Sequence, residues 1–258
     1  MKPKALILRA AGTNCDYETE YAFRLAGADT DLVHINELAR GEKSLTGYRI
    51  LAIPGGFTYG DDVAAGKILA NELKYKLEDQ VERFLEDGNL ILGICNGFQV
   101  LVRAGLLPAL DGPGGAQEVT LTDNDSGMFE DRWVYLRPEE SRCVFTKGVE
   151  ETLHFPVAHA EGKFVHRNPD VLRRLNENGQ IVFRYVGPEG GPPTYPLNPN
   201  GSVEDIAGIC DPTGRVLGLM PHPERHILGT QHPRWTREGL RDRGDGLILF
   251  ENAVRYVG

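Results

Sequence analysis

Cysteines are few in this sequence, and they are not arranged as metal ligands. The 258 residues contain four cysteines, Cys15, Cys95, Cys143 and Cys210, and no two of them have Cys-x-x-Cys spacing. A structural zinc site is therefore not expected, and we predict no bound metal. Disulfide frameworks belong mainly to secreted proteins, so we expect a reduced, cytoplasmic protein whose cysteines are free thiols.

Long apolar runs and an excess of positive charge are also missing. No apolar stretch approaches the roughly 20 residues that span a bilayer, and the first residues lack the apolar core and cleavage site of a signal peptide. The net charge is −9 with no basic stripe to offset it, which argues against a nucleic-acid-binding protein. The sequence also lacks a Gly-x-x-x-x-Gly-Lys-Ser/Thr loop for a nucleotide phosphate.

What is present indicates one α/β domain over residues 1–258. Hydrophobic residues make up 41% of the chain and charged residues 25%, as in ordinary globular enzymes. In the first hundred residues, short apolar runs alternate with helical patterns. This alternation predicts a mainly parallel sheet with helices on both faces.

The second half of the sequence predicts an added antiparallel, strand-rich portion. Val119–Thr122 and Trp133–Leu136 are predicted to pair around a turn, and residues 187–202 are predicted to form a long loop. A last hairpin is predicted from Ile206–Ile209 and Val216–Met220, followed by a terminal helix over Leu247–Val257.

Cys95 lies in the segment Gly93-Ile94-Cys95-Asn96-Gly97, between an apolar strand pattern and a helical pattern. This arrangement is typical of a strained strand-to-helix turn that presents a nucleophile, with small glycines where other side chains would collide. The N-terminus of the following helix favours the thiolate. We therefore predict that Cys95 is a catalytic nucleophile.

Two His-x-Glu triplets could supply the base that a cysteine nucleophile needs. In Pro221-His222-Pro223-Glu224-Arg225, we predict His222 as the acid and base and Glu224 as the carboxylate that orients it. The rival is His159-Ala160-Glu161, which the pattern does not exclude. Its position in the strand-rich region favours a place for His159 in the wall of the substrate pocket.

A pair of backbone N–H groups could stabilise the oxyanion formed when the nucleophile attacks. Gly55-Gly56 follows a buried strand and has no Cβ to obstruct a reacting group. The second donor would be the amide of Asn96, directly after the nucleophile. We predict that Gly56 and Asn96 form the oxyanion hole. Because Gly12, Gly55-Gly56 and Cys95 each follow a predicted parallel strand, they are expected to meet at one edge of the sheet.

Together these segments resemble the class I glutamine amidotransferases. The segments Gly-Ile-Cys-Asn-Gly-Phe-Gln, Pro-Gly-Gly-Phe-Thr-Tyr-Gly-Asp and Pro-His-Pro-Glu-Arg carry that resemblance. Three further segments resemble the glutaminase-subunit family of phosphoribosylformylglycinamidine synthase: Gly12-Thr13-Asn14-Cys15-Asp16, Val157-Ala158-His159-Ala160-Glu161-Gly162 and Asn198-Pro199-Asn200-Gly201-Ser202. The resemblance covers residues 5 to 257. The chain is longer than the compact version of that subunit and in this respect resembles the glutaminase region of the large single-chain synthases.

The resemblance implies a flavodoxin-like fold, with Cys95 as nucleophile, His222 as acid and base, and Glu224 as the orienting carboxylate. It places Gln99 near bound L-glutamine, and His159, Asn198, Asn200 and Ser202 are predicted substrate-binding residues. It implies no cofactor in this chain, because ATP and magnesium would be used by a PurL-like synthetase partner. A small PurS-like subunit could be a second partner. The implied activity is glutamine hydrolysis that feeds ammonia to that partner in purine biosynthesis.

Two other functions are compatible with the pattern. One is a stand-alone thiol hydrolase on the same fold, similar to γ-glutamyl hydrolases, which would have the same nucleophile turn and histidine. The other is a non-catalytic interaction module in which Cys95 is a packed thiol. Stimulation by a synthetase partner would distinguish the first from an amidotransferase, and failure of Cys95 to react with a glutamine-like electrophile would indicate the second.

Overall fold

A nine-stranded sheet organises the computed structural model, which describes residues 2–258. Its strand order is β2-β1-β3-β4-β11-β10-β9-β6-β7, and β5 and β8 form a second, two-stranded sheet. The strands are β1 (Lys4–Arg9), β2 (Asp29–His34), β3 (Ile50–Ile53), β4 (Leu90–Ile94), β5 (Val119–Thr122), β6 (Glu130–Pro138), β7 (Leu153–His159), β8 (Lys163–His166), β9 (Ile181–Val186), β10 (Ile206–Cys210) and β11 (Val216–Leu219).

The described part of the chain also contains eight α-helices. They are α1 (Asp16–Leu25), α2 (Ile35–Ala39), α3 (Lys67–Lys76), α4 (Glu78–Glu86), α5 (Asn96–Arg103), α6 (Pro169–Glu177), α7 (Trp235–Glu238) and α8 (Leu247–Val257). Within residues 2–258, every helix is too short or too polar to cross a bilayer.

The parallel half of the sheet confirms the predicted βαβ pattern. Strands β2, β1, β3, β4 and β11 run parallel to one another. Every residue of β3, β4 and β11 is buried, which explains why these segments are continuously apolar rather than alternating. Helices cover these strands, and α1 meets α8 through an edge-to-face contact of Phe23 and Phe250 with ring centroids 4.9 Å apart.

The antiparallel half confirms one predicted pairing and corrects another. Strands β10 and β11 form the expected hairpin, but β5 does not pair with β6. Strand β5 pairs with β8, whereas β6 pairs with β7 and β9. The reason is Asn124, whose backbone N–H donates to the Ala160 carbonyl and whose side chain donates to the His159 carbonyl. These bonds fasten the turn after β5 to the loop between β7 and β8.

Other differences concern helices. Residues 62–73 have a helical sequence pattern, but the regular helix α3 begins only at Lys67, because Tyr59, Asp61 and Gly66 have positive φ values of 57°, 55° and 72° that interrupt a regular helix. Helix α6 was not predicted, although Asn168 caps it and Pro169 occupies its first turn. Residues 187–202 contain no helix or strand, as expected.

Burial of His154 should make the free energy of unfolding depend on pH. Burial and the neighbouring His232 lower the pKa of His154 to about 3, whereas histidine in an unfolded chain titrates near a pKa of roughly 6.5. Between these values the unfolded chain binds more protons than the folded chain. The free energy of unfolding therefore falls as the pH is lowered from about 6.5, by at most ~1.4 kcal/mol per pH unit from this group.

Urea unfolding of the wild-type protein and of His154→Gln, at several pH values on the acid side of neutrality, measures this contribution. Glutamine does not titrate, so the variant is expected to show a shallower dependence of unfolding free energy on pH. Equal slopes for the two proteins would contradict the assignment, whatever the difference in their absolute stabilities.

Candidate active site

Neighbouring parallel strands bring the predicted reactive residues together at one edge of the sheet. Cys95 directly follows β4, and His222 lies just beyond β11, which pairs with β4 over four residues. The Gly55-Gly56 turn follows β3, and Gly12 follows β1. Thr13 forms an isolated bridge with Gly56, so the loops after β1 and β3 are joined. The expected meeting of these segments is confirmed.

The backbone at Cys95 has the conformation expected of a nucleophile turn. Cys95 has φ 53° and ψ −108°, a region that non-glycine residues rarely occupy. Its N–H donates to the Leu219 carbonyl at 2.8 Å, and its Sγ lies 3.7 Å from the Ala158 carbonyl oxygen. Strand β11 and the end of β7 therefore hold the strained turn from two sides.

Glycines on both sides of Cys95 allow the sheet and α5 to approach closely. A Cβ at Gly97 would lie 1.9 Å from the Ile53 carbonyl oxygen, and one at Gly93 would lie 2.5 Å from Leu101 Cδ1. Both distances are far below van der Waals contact, so a side chain at either position would push the helix away from β3 and β4. The turn therefore depends on these glycines sterically.

His222 and Glu224 form a buried pair. His222 Nδ1 lies 2.6 Å from Glu224 Oε1, and both residues are almost completely inaccessible. Pro223 separates them, and the Pro156 carbonyl accepts the His222 N–H at 2.8 Å. The carboxylate therefore fixes which nitrogen of the ring faces it, and Nε2 has no hydrogen-bond partner within residues 2–258.

The surroundings of His222 favour its protonated form. Burial alone would lower the pKa of the imidazole, but the Glu224 carboxylate and the nearby thiols of Cys95 and Cys15 raise it well above the ordinary value. An imidazole that readily holds a proton between a carboxylate and a thiol can form an imidazolium–thiolate pair. The structure thus brings Cys95, His222 and Glu224 into one cluster.

Gly55 lies where the reactive groups converge. A Cβ at this position would be 2.8 Å from His222 Cε1, 3.2 Å from Cys15 Sγ and 3.4 Å from Cys95 Cβ. The adjacent Gly56 has φ 142°, and its own Cβ would lie 2.7 Å from the Asn14 nitrogen. Only glycine fits either position, and the geometry leaves the backbone of this loop open toward Cys95.

An open pocket of about 300 Å³, counted with its solvent-filled mouth, lies in front of Cys95. Its lining comes from the loop after β3, the start of α5 and the end of β7, and comprises Gly56, Phe57, Asp61, Ala65, Cys95, Gln99, Ala158, His159, Ala160 and Glu161. Gln99 is held in place because its side-chain N–H donates to the Glu161 carbonyl at 2.5 Å.

The side chain of Asn96 is not part of the pocket lining but bonds to residues that are. It accepts a hydrogen bond from the Thr58 hydroxyl at 2.6 Å and donates to Asp61 and Gln99. Asn96 therefore ties α5 to the loop after β3, which fixes the position of its own amide. Donation from the Gly56 and Asn96 amides to an oxyanion stays a prediction.

His159 lies in the pocket wall and, within residues 2–258, forms no ion pair with a carboxylate. Its Nδ1 lies 3.1 Å from Asn124 Oδ1, and burial lowers its pKa to about 3. Glu161 instead faces Arg103, with 3.7 Å between the charged atoms. A histidine that stays neutral and lacks an acidic partner is poorly suited as a general base, so the geometry favours His222 over His159 for that role.

Asn198, Asn200 and Ser202 lie behind this wall rather than along it. Asn200 donates to the Gly162 carbonyl at 2.9 Å, and Ser202 donates to Asn200 Oδ1 at 2.7 Å. Asn198 donates to Asp205 at 2.8 Å. These bonds support the loop that carries His159, and direct contact of the three residues with substrate stays a prediction.

Cys15 is a part of the site to which the sequence interpretation gave no role. It is buried next to His222, and Cys15, His222 and Glu224 each offer a ligand atom within 4.8 Å of the others. A cation here would meet the Arg225 guanidinium, whose Nη2 lies 3.0 Å from Cys15 Sγ, and like charges repel. The signal that could have identified Cys15 is its place in the loop between β1 and α1, at the same sheet edge as the other turns.

Comparison with known proteins agrees with this geometry. Residues 2–257 match the family described as the CobB/CobQ-like glutamine amidotransferase domain. Phosphoribosylformylglycinamidine synthase subunit PurQ of Dehalococcoides mccartyi is 52% identical over 99% of this chain and 98% of its own length. The PurQ subunit of Methanococcus maripaludis is 46% identical over 98% of this chain and 97% of its own.

The chain belongs to the PurQ subunit family of the CobB/CobQ-like glutamine amidotransferases. A chain in the structure of PurLQS from Thermotoga maritima has the same fold, with a TM-score of 0.77, 31% identity and full coverage of both chains. Separate subunits therefore have the length of this chain. Its length is not specific to single-chain synthases, which corrects that part of the sequence interpretation.

The steric role of Gly97 can be tested by adding a single methyl group. Gly97→Ala places a Cβ against the Ile53 carbonyl, and we expect it to lower the free energy of unfolding by about 3 kcal/mol or more through forced displacement of α5. The matched control is Gly191→Ala, where a Cβ meets nothing within 4 Å and a change within about 0.5 kcal/mol is expected. Equal denaturant midpoints for the two variants would contradict this account.

Proposed function

We propose that this chain is the glutaminase subunit of a phosphoribosylformylglycinamidine synthase. It hydrolyses L-glutamine through a thioester on Cys95 and passes the ammonia to an ATP-dependent synthetase partner. The observation that carries this proposal is the buried cluster of Cys95, His222 and Glu224 at the inner end of a small pocket. The relatives named PurQ supply the biosynthetic assignment.

In the first step the Cys95 thiolate attacks the side-chain carboxamide of glutamine. His222 takes the thiol proton on Nε2, the nitrogen that Glu224 leaves free. The Gly56 and Asn96 amides receive the negative charge that develops on the carboxamide oxygen. A donor that is already in place contributes strongly, since loss of one typically costs about 100- to 1,000-fold in rate.

The same imidazole completes the reaction. His222 gives its proton to the departing ammonia, and a thioester between glutamate and Cys95 remains. His222 then takes a proton from water, which attacks the thioester and releases glutamate and the free thiol. The buried Glu224 carboxylate stabilises the imidazolium in both halves of the reaction. The chemistry needs no metal or cofactor in this chain.

Ammonia released here needs a protected route to the second active site, because in bulk water it would be protonated and lose its nucleophilicity. We assign that second site to a PurL-like synthetase subunit that uses ATP and magnesium to convert formylglycinamide ribonucleotide to formylglycinamidine ribonucleotide, with a small PurS-like subunit in the same assembly. The similarity to a chain of PurLQS supports these partners.

The role of Cys95 is tested by Cys95→Ala in the assembled synthase. We expect glutamine-dependent synthesis to be abolished and ammonium-dependent synthesis to be retained, because the synthetase site can use external ammonia. The control is Cys143→Ala, which removes another buried thiol distant in sequence from the cluster and should leave both activities intact. Glutamine-driven synthesis by Cys95→Ala would show that another residue is the nucleophile.

Separate replacement of the two histidines distinguishes the two His-x-Glu triplets. We expect His222→Ala to abolish formation of the glutamyl thioester, because His222 is the proposed base beside Cys95. His159→Ala should still form the thioester and should mainly weaken glutamine binding, because His159 is a neutral part of the wall. Mass spectrometry of the trapped intermediate gives the readout, and the reverse pattern would assign the base to His159.

A further inference from the structure

Cys15 is a buried thiol that touches the catalytic cluster but does not line the pocket. Its side chain lies beside His222, whereas the pocket in front of Cys95 is lined by other residues. The reaction described above gives it no function. Because it has no access to substrate, any role in the reaction has to act through a neighbouring residue.

The backbone holds Cys15 rigidly. Its N–H donates to the Gly55 carbonyl at 3.2 Å, which ties it to the loop after β3. Its carbonyl accepts from both the N–H and the hydroxyl of Thr19, at 3.1 and 2.7 Å, in the first turn of α1. The side chain of Arg9 adds an ion pair to the neighbouring Asp16 at 2.6 Å. The sulfur therefore projects from a well-anchored point.

The sulfur itself is held by two polar contacts. Arg225 Nη2 donates to Sγ at 3.0 Å, and the thiol donates to Asn14 Oδ1 at 3.1 Å. The thiol hydrogen is thus directed away from the imidazole, and the sulfur presents a lone pair on its remaining side. Burial is the main cause of the raised pKa of Cys15, so the thiol stays neutral and does not compete with Cys95 for the proton on His222.

The imidazole of His222 needs a further neighbour that limits its rotation. Glu224 fixes only Nδ1, and Gly55 offers no side chain to the Cε1 edge of the ring. Without another neighbour, the imidazole could tilt about the Glu224 bond and carry Nε2 away from Cys95. The sulfur of Cys15 is the side chain found there: it lies beside the same point at Gly55 as His222 Cε1 and within 4.8 Å of a ring nitrogen of His222, and Arg225 donates a hydrogen bond to it.

We propose that Cys15 is a positioning residue for His222: its sulfur, fixed by Arg225 and Asn14, packs against the imidazole and keeps Nε2 directed at Cys95. This inference rests on the proposed glutaminase function. It also gives Arg225, the last residue of the Pro221–Arg225 segment, a defined part in the site. Its guanidinium holds the sulfur through a hydrogen bond of 3.0 Å.

The test compares Cys15→Ala and Cys15→Ser in the assembled synthase, with Cys143→Ala as the matched buried-cysteine control. A small displacement of a catalytic group can cost about 100-fold in rate, so we expect Cys15→Ala to lower the glutamine-dependent kcat by ~10- to 100-fold with little change in KM. Ammonium-driven synthesis should stay at the wild-type level. Cys15→Ser keeps a donor and an acceptor and should recover most of the lost rate.

The pH profile separates positioning from a general structural effect. The charged or titratable groups that face His222 from the neighbouring elements are Cys15, Cys95, His159, Glu224 and Arg225. In Cys15→Ala the guanidinium can approach the imidazolium, so the alkaline limb of the kcat profile should move to lower pH. In Arg225→Met the cation is gone, and the limb should move to higher pH.

The proposal can be overturned even if one of the variants does not fold. A wild-type kcat and pH profile in Cys15→Ala would overturn the proposal, as would a Cys15→Ser variant no better than Cys15→Ala. If Cys15→Ala does not fold, Arg225→Met decides, because an unshifted alkaline limb in that variant would also overturn it. The wild-type synthase is measured in parallel, and only its failure to use glutamine while it still uses ammonium would argue against the glutaminase function itself.

Discussion

The close approach of three loops around Gly55 is the constraint on which the site depends. The imidazole of His222, the sulfur of Cys15 and the Cβ of Cys95 all lie within 3.4 Å of the point where a side chain at Gly55 would begin. Each group comes from the end of a different parallel strand, so the site forms only when the strand order and register are correct. The reactive groups therefore come together only if the chain folds correctly around Gly55, and no residue except glycine fits at that position.

Burial of the His222–Glu224 pair lets the carboxylate control the protonation of the imidazole in this crowded site. An isolated histidine in the same place would be neutral, as His159 is, because loss of water disfavours its charged form. The carboxylate of Glu224 reverses that preference for His222. The two histidines thus have opposite protonation preferences: Glu224 and the thiols of Cys95 and Cys15 raise the pKa of His222, whereas burial dominates at His159.

Much of this could be predicted from the sequence because the deciding signals are local. The apolar runs of β3, β4 and β11, the glycines around Cys95 and the prolines around His222 each specify a turn at the end of a strand, and parallel strands bring such turns together. The pairing of β5 with β8 and the support of His159 by Asn124 and Asn200 depend on contacts between residues far apart in the chain, which no local pattern specifies. The place of Cys15 in the loop after β1 is a local signal, but its contact with Arg225, 210 residues further along, is not one.

The pairing of β4 with β11 has one more consequence. Four consecutive residues of β11 are in register with Ile91–Ile94, and the nucleophile and the base lie directly beyond these two hydrogen-bonded strands. The spacing between sulfur and imidazole is therefore a property of the rigid centre of the sheet, not of a mobile loop. The hydrogen bonds between β4 and β11 already set the distance between nucleophile and base. To turn glutamine hydrolysis on or off, a bound synthetase would therefore have to shift the peptide planes of the loop after β3 or the strand that carries His159.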